Sequence, residues 1–267
     1  FESSTVKEPK SIFKLSDNVI SKVIDNNELF KTKNIASTEI ISFESFDGTE
    51  IFGLLTKPHD FDPNKKYPLL IRIHGGPVSQ YGVRFSMEWQ IFASNGYLVL
   101  AINPRGSSGR GEEFQKAIYA DWGNVDAKDI IAAADFISEK PYVDPDRLGI
   151  GGWSYGSMLT NYVIASDSRF KAATSGAGIS NILSGFGDDH YIREYIDELG
   201  TPWDNLDVWM RISYPFFEAD TIITPTLFLV GEKDFNVPLI GSEQMYQALR
   251  HNNICLLYTS DAADDWF

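Results

Sequence analysis

Gly152-Trp153-Ser154-Tyr155-Gly156 is the one G-x-S-x-G in a chain of 267 residues. A serine hydroxyl is a weak nucleophile until a hydrogen-bonded base takes its proton. Glycines two positions to either side allow the sharp strand-to-helix turn that lifts such a hydroxyl above a sheet edge, because strand and helix then approach without a clash. The flanks fit: Arg147-Leu148-Gly149-Ile150-Gly151 reads as a strand and Tyr155 to Ala165 as a helix. The competing reading is a glycine-rich turn in which Ser154 merely caps the helix. A second piece, His74-Gly75-Gly76-Pro77, follows the apolar run Leu69-Leu70-Ile71-Arg72-Ile73. Glycines in such a loop let a backbone N–H approach a developing oxyanion, so Gly76 and Tyr155, the residue after the nucleophile, are the expected donors. His74 is equally readable as a structural hydrogen bonder.

A hydroxyl nucleophile also needs an acid and a base, in the chain order Ser, Asp or Glu, His. Asp234 closes Leu227-Phe228-Leu229-Val230-Gly231-Glu232-Lys233 and is expected at the carboxyl end of a buried strand neighbouring that of Ser154, where it can orient an imidazole. An Asx-turn cap is the alternative for it. Asp204 and Asp220 lie in polar stretches, and Glu232 within the turn. Of four histidines, His59, His74 and His190 precede Asp234; His251 follows it, after a helix read over Ser242 to Arg250 that runs back from the catalytic edge. His251 is better explained as a cation at a helix C-terminus. A triad histidine belongs on the loop after one further strand. No such strand is expected after Asn253, since Leu256-Leu257-Tyr258-Thr259 is brief and gives way to Ser260 to Asp265. The base is therefore expected to be missing and this stretch to be a poor catalyst.

The elements that must hold these residues alternate. Glu39 to Ser45 and Glu50 to Leu55 read as an antiparallel pair around Asp47-Gly48. Strands follow at 69–73, 97–102, 147–151, 171–175 and 226–230. Helices are expected at 88–94, 125–139 (Ile130, Ala133, Ala134 and Ile137 on one side), 155–165 and 242–250, with a helical insert over 181–219. Strands alternating with helices imply a mainly parallel sheet covered on both faces, here an α/β-hydrolase fold. Apolar residues make up 43%, enough for a large core. Lys plus Arg number 23 against 37 Asp plus Glu, a net charge of −14 that disfavours nucleic acid and anionic membrane as partners. No apolar stretch is long enough to span a bilayer. The single cysteine, Cys255, and the lack of Cys/His spacing predict no disulfide, metal or cofactor. The chain opens on Phe1 with no leader pattern and reads as a piece of a longer product, which leaves its compartment open.

Assembled in order, these pieces resemble the prolyl oligopeptidase family of serine peptidases, in particular its dipeptidyl-peptidase and acylaminoacyl-peptidase branches. The resemblance is carried by H-G-G-P at 74, Asn103-Pro104-Arg105-Gly106-Ser107-Ser108-Gly109, Asp121-Trp122-Gly123, Val143-Asp144-Pro145-Asp146-Arg147-Leu148, the G-x-S-x-G, and Gly231-Glu232-Lys233-Asp234-Phe235-Asn236-Val237-Pro238. It implies a hydrolase domain over 38–253, the end of a preceding β-propeller over 1–37, a non-matching tail over 254–267 and short peptides as substrates through an acyl-enzyme. It further implies that Asn236 contacts a substrate carbonyl and that Tyr191 and Tyr195 wall the pocket for the residue before the scissile bond. Ordinary aromatic packing of an amphipathic helix explains the two tyrosines equally well. Glu112-Glu113 is not the acidic pair that grips a free N-terminus in dipeptidyl peptidases, since that pair belongs to the propeller. An esterase or a non-catalytic module on the same fold are the competing functions.

Overall fold

Alternation along one strand sets up the architecture. In Leu98–Asn103 the side chains of Leu98, Leu100 and Ile102 join one buried cluster, while Val99 and Ala101 join a second cluster. Period-two alternation points these sets to opposite faces of a sheet. The second cluster also holds Trp89, and the first holds Ile130, Ala133, Ala134 and Leu159. Helices therefore cover both faces, as the sequence pattern requires.

The computed structural model describes residues 1–25 and 27–259. In chain order the strands are β1 (Glu2–Ser3), β2 (Ser11–Ser16), β3 (Val19–Ile24), β4 (Ser37–Glu44), β5 (Glu50–Lys57), β6 (Tyr67–Ile73), β7 (Leu98–Asn103), β8 (Val143–Trp153), β9 (Ala172–Gly176), β10 (Thr226–Leu229) and β11 (Leu256–Thr259). The α-helices are α1 (Met87–Ser94), α2 (Glu112–Lys116), α3 (Val125–Ser138), α4 (Tyr155–Ser166), α5 (Ile182–Gly185), α6 (Ile192–Leu199), α7 (Leu206–Ile212), α8 (Tyr214–Phe217) and α9 (Leu239–His251). Among the described residues, β4 to β11 form one eight-stranded sheet in the order β11-β10-β9-β8-β6-β7-β5-β4. The β4–β5 and β5–β7 pairs are antiparallel and the rest parallel. β1, β2 and β3 make a separate antiparallel sheet, so the first residues, whose patterning is weak, are more regular than their sequence suggests.

Two expectations are corrected. A strand does follow Asn253: Leu256–Thr259 pairs in parallel with Thr226–Leu229, and the Thr226 and Val230 N–H groups bond Cys255 and Thr259 carbonyls. Four residues suffice because an existing edge supplies the ladder. Ser260 to Asp265 lie outside the described residues. Secondly, the strand leading to Asp234 does not neighbour that of Ser154, because β9 lies between β8 and β10.

Candidate active site

Ser154 stands between β8 and α4 at φ 57°, ψ −127°, the left-handed half of backbone space that a non-glycine residue rarely enters. Its surroundings hold it there. The Ser154 N–H donates to the Gly176 carbonyl at 2.8 Å, and its own carbonyl accepts from Ser157 and Met158. A Cβ on Gly152 would lie 2.4 Å from the Gly156 carbonyl carbon, and one on Gly156 would lie 2.3 Å from the Ile73 carbonyl oxygen. Both glycines thus serve the close approach of β6, β8 and α4. The loop from His74 to Pro77 abuts the same point: a Cβ on Gly75 would come within 3.2 Å of Ser154 Cβ. Gly76, at φ 133°, and Tyr155 both line the cavity that Ser154 opens into. Tyr155 is the first residue of α4, so its N–H has no acceptor within the helix.

That cavity has a volume of about 230 Å³. The 234–237 turn forms one side. Asp234 Oδ1 accepts the N–H groups of Asn236 and Val237, each at 2.9 Å, and Asn236 and Val237 line the cavity. The Asx-turn reading of Asp234 is therefore correct as geometry, and it is compatible with a role at the rim. β8, β9 and β10 are in register at Trp153, Gly176 and Leu229. Two inter-strand spacings, roughly 10 Å, thus separate the two strand ends.

Tyr191 and Tyr195 also line the cavity. Tyr191 donates its phenol to Asn236 Oδ1 at 2.6 Å, and Tyr195 donates to Asp189 Oδ2 at 2.6 Å. Tyr191 stays half-exposed, whereas Tyr195 is 8% exposed and also packs edge-on against Trp209. Tyr195 is thus both cavity wall and core, which answers the sequence alternatives with neither alone. Burial and the bond to Asp189 push the Tyr195 phenol well above its usual range.

Of the four histidines, His59 is exposed beside Asp60. His74 is buried, with Nε2 2.8 Å from Ser107 Oγ and Nδ1 2.8 Å from the Gly75 carbonyl oxygen; burial lowers its pKa. It braces the His74-to-Pro77 loop against the Pro104-to-Gly109 segment. His190 lies on Tyr191 and Phe235 at 4.3 and 5.8 Å between ring centroids. His251 ends α9 and is exposed. Among the described residues no histidine hydrogen-bonds Ser154 or Asp234.

Sequence reasoning missed the support beneath Tyr155. Its phenol donates to Asp126 Oδ2 at 2.5 Å, and Asp126 Oδ1 accepts the Ala127 N–H. Asp126 is 0% exposed, and burial raises its carboxyl to about 7. Three residues on, buried Asp129 takes Nε and Nη2 of Arg105 and the Ser45 hydroxyl, and Arg105 reaches Asp47, holding that carboxyl near 2. The i, i+3 spacing of Asp126 and Asp129 on a buried helix face was the available signal.

An eight-stranded, mostly parallel sheet with a strained serine at a strand-to-helix elbow defines an α/β hydrolase. The profile of the prolyl oligopeptidase family matches residues 83–263, and the chain belongs to that family. The match runs past Asn253. An uncharacterised peptidase of Bacillus subtilis, YuxL, is 36% identical over 229 residues, covering 84% of this chain and 35% of that protein. Dipeptidyl-peptidase 5 of Schizosaccharomyces pombe is 30% identical, covering 82% of this chain and 33% of its own length. The chain spans about a third of the length of these curated relatives. The crystal structure of an acylaminoacyl peptidase from Pyrococcus horikoshii superposes with a TM-score of 0.88 at 29% identity, covering 97% of this chain and 42% of that one. The family's enzymes are serine peptidases. No described helix is long and apolar enough to cross a membrane.

Proposed function

We propose that the chain carries the nucleophile of a serine peptidase that cleaves short peptides through an acyl-enzyme. The observation that carries this reading is Ser154, held at positive φ at the mouth of a cavity that Gly76 and Tyr155 also line. Ser154 Oγ attacks the scissile carbonyl, and the N–H groups of Gly76 and Tyr155 receive the oxyanion. Asp234 keeps Oδ1 for its own turn and offers Oδ2 to an imidazole. Asn236 spends Oδ1 on Tyr191, so its Nδ2 is the atom for a substrate carbonyl. Tyr191 and Tyr195 wall the pocket for the residue before the scissile bond. This reading assigns the base to no described histidine, since the ring of His74 is spent on Ser107 and Gly75, that of His190 lies on Tyr191 and Phe235, and His251 ends α9. In the same reading residues 1–37 are the end of a preceding β-propeller, and peptide, with no nucleic acid, metal or cofactor, is the partner.

The test is fluorophosphonate labelling and peptide-anilide hydrolysis by the 267-residue chain and by a longer form that includes a histidine base. The longer form is expected to turn over on the order of 10⁶-fold faster and to label far faster, and Ser154→Ala to abolish labelling of the longer form. Equal turnover by the two forms would place a base within these residues. Ester hydrolysis without anilide hydrolysis by the longer form would make the domain an esterase.

A further inference from the structure

One stripe of α6 and its cap carries more charge than an apolar specificity pocket accounts for. Tyr191, Glu194, Tyr195 and Glu198 stand at i, i+3, i+4 and i+7, and all four line the cavity beside Ser154. Asp189 lines it as well, directly before this stripe. Trp122 adds a further aromatic wall, its ring 6.1 Å from that of Tyr155 and 6.3 Å from that of Tyr195.

Among the described residues Asp189 and Glu198 have hydrogen bonds but no counter-charge, and Glu194 is exposed. Asp189 accepts from the Tyr195 phenol and the Tyr191 N–H, at 2.6 and 2.7 Å. Glu198 accepts from Trp122 Nε1 and the Ala120 N–H, at 2.6 and 3.0 Å. Every one of these donors is neutral. Among the described residues no lysine, arginine or histidine lines the cavity. The cations near the helix are engaged elsewhere, Arg193 with Asp197 and Arg211 with Asp121. Glu194 and Glu198 are like charges one turn apart, an arrangement that disfavours an isolated helix. Aromatic faces attract a cation through their quadrupole, and a cleft with low-dielectric walls magnifies the pull of the carboxylates.

We propose that the cavity beside Ser154 binds an organic cation carried by the peptide, a guanidinium or ammonium group set between the aromatic walls and the carboxylates of Glu194 and Glu198. The proposal rests on the reading of this cavity as the peptide site and names its substrate class. A proline or aliphatic side chain would instead cover these carboxylates with apolar surface and return no hydrogen bond.

Equilibrium binding to the 267-residue chain, followed by tryptophan fluorescence and by calorimetry, separates this from the catalytic reading. N-acetyl-arginine amide is expected to bind about tenfold or more tightly than N-acetyl-citrulline amide, its neutral near-isostere. Free norleucine amide against N-acetyl-norleucine amide tells whether an α-ammonium serves as well as a side-chain cation. Glu194→Gln combined with Glu198→Gln is expected to reduce the arginine preference to less than about twofold; Glu194→Gln alone, at an exposed position, is expected to reduce it in part and guards against a folding defect. Ser154→Ala should leave the preference intact, while abolishing fluorophosphonate labelling of the longer form. Equal affinity for the arginine and citrulline amides, a preference that survives the double substitution, or no binding of arginine amide at millimolar concentration overturns the proposal. Failure of the peptidase reading shows separately, as labelling of the longer form that Ser154→Ala does not remove.

Discussion

The Ser154 elbow and the α6 wall line one cavity and are built on opposite terms. At the elbow the constraints are backbone on backbone: the Gly156 position against the Ile73 carbonyl, the Gly152 position against Gly156, the Ser154 N–H on Gly176. On the α6 side they run through side-chain tips, with phenols on Asn236 and Asp189 and an indole on Glu198. α4 has ten buried residues in twelve, whereas α6 has Tyr195 and Leu199 alone buried in eight. The lesson is that placement of the Ser154 hydroxyl is fixed by backbone contacts, while pocket chemistry hangs on side-chain groups that can be exchanged one at a time.

The contrast breaks most visibly at Gly156. Gly156→Ala drives a methyl into the Ile73 carbonyl, and a loss of more than about 3 kcal/mol in urea unfolding is expected. A loss below about 1 kcal/mol would mean that the elbow yields as readily as the wall.

Asp126 tests the elbow from below. Its carboxyl, buried without a cation, sits near 7 in the fold against 3.8 for an ordinary aspartate. Between these values the native state binds more protons than the unfolded chain, so stability falls as pH rises through the window. Unfolding at pH 5 and pH 8.5 should differ by about 2 to 3 kcal/mol from this group, and Asp126→Asn should flatten the difference. A slope unchanged in Asp126→Asn would assign it to other groups.

The wall is expected to give smaller effects. Gly187, in the insert at φ 90°, has open space around its Cβ position, so Gly187→Ala meets backbone conformation alone and costs about 1 kcal/mol. Tyr191→Phe removes one phenol bond to Asn236 and should cost about 1 kcal/mol or less by the same unfolding measurement. A cost above about 2 kcal/mol at either position would erase the distinction between the two regions.

Local chemistry made much of this legible. The elbow was readable because strand, G-x-S-x-G and helix are contiguous, so its geometry depends on nearest neighbours in sequence. The alternation of strands with helices gave the mainly parallel sheet and both covering layers. What escaped depends on contacts between distant segments. The last strand is four residues long and forms on an edge that the rest of the sheet supplies, so its own sequence looks insufficient. The interposition of β9 between β8 and β10 is a matter of strand order that periodicity does not carry. Asp126 looks like any helix-start aspartate until Tyr155 arrives from 29 positions away. Glu194 and Glu198 look like solvent-facing charges on α6 and become cavity residues through the segments that pack around them.

The positive φ of Ser154 has an evolutionary side. Every residue with a Cβ carries a conformational penalty at that position, and glycine alone escapes it. Selection therefore has to hold the serine against a standing pull toward glycine, since Ser154→Gly relaxes the turn and discards the hydroxyl in a single substitution. A relative that does not need the hydroxyl can drift downhill at this site with its fold improved, and such relatives on this scaffold should carry glycine here more often than alanine.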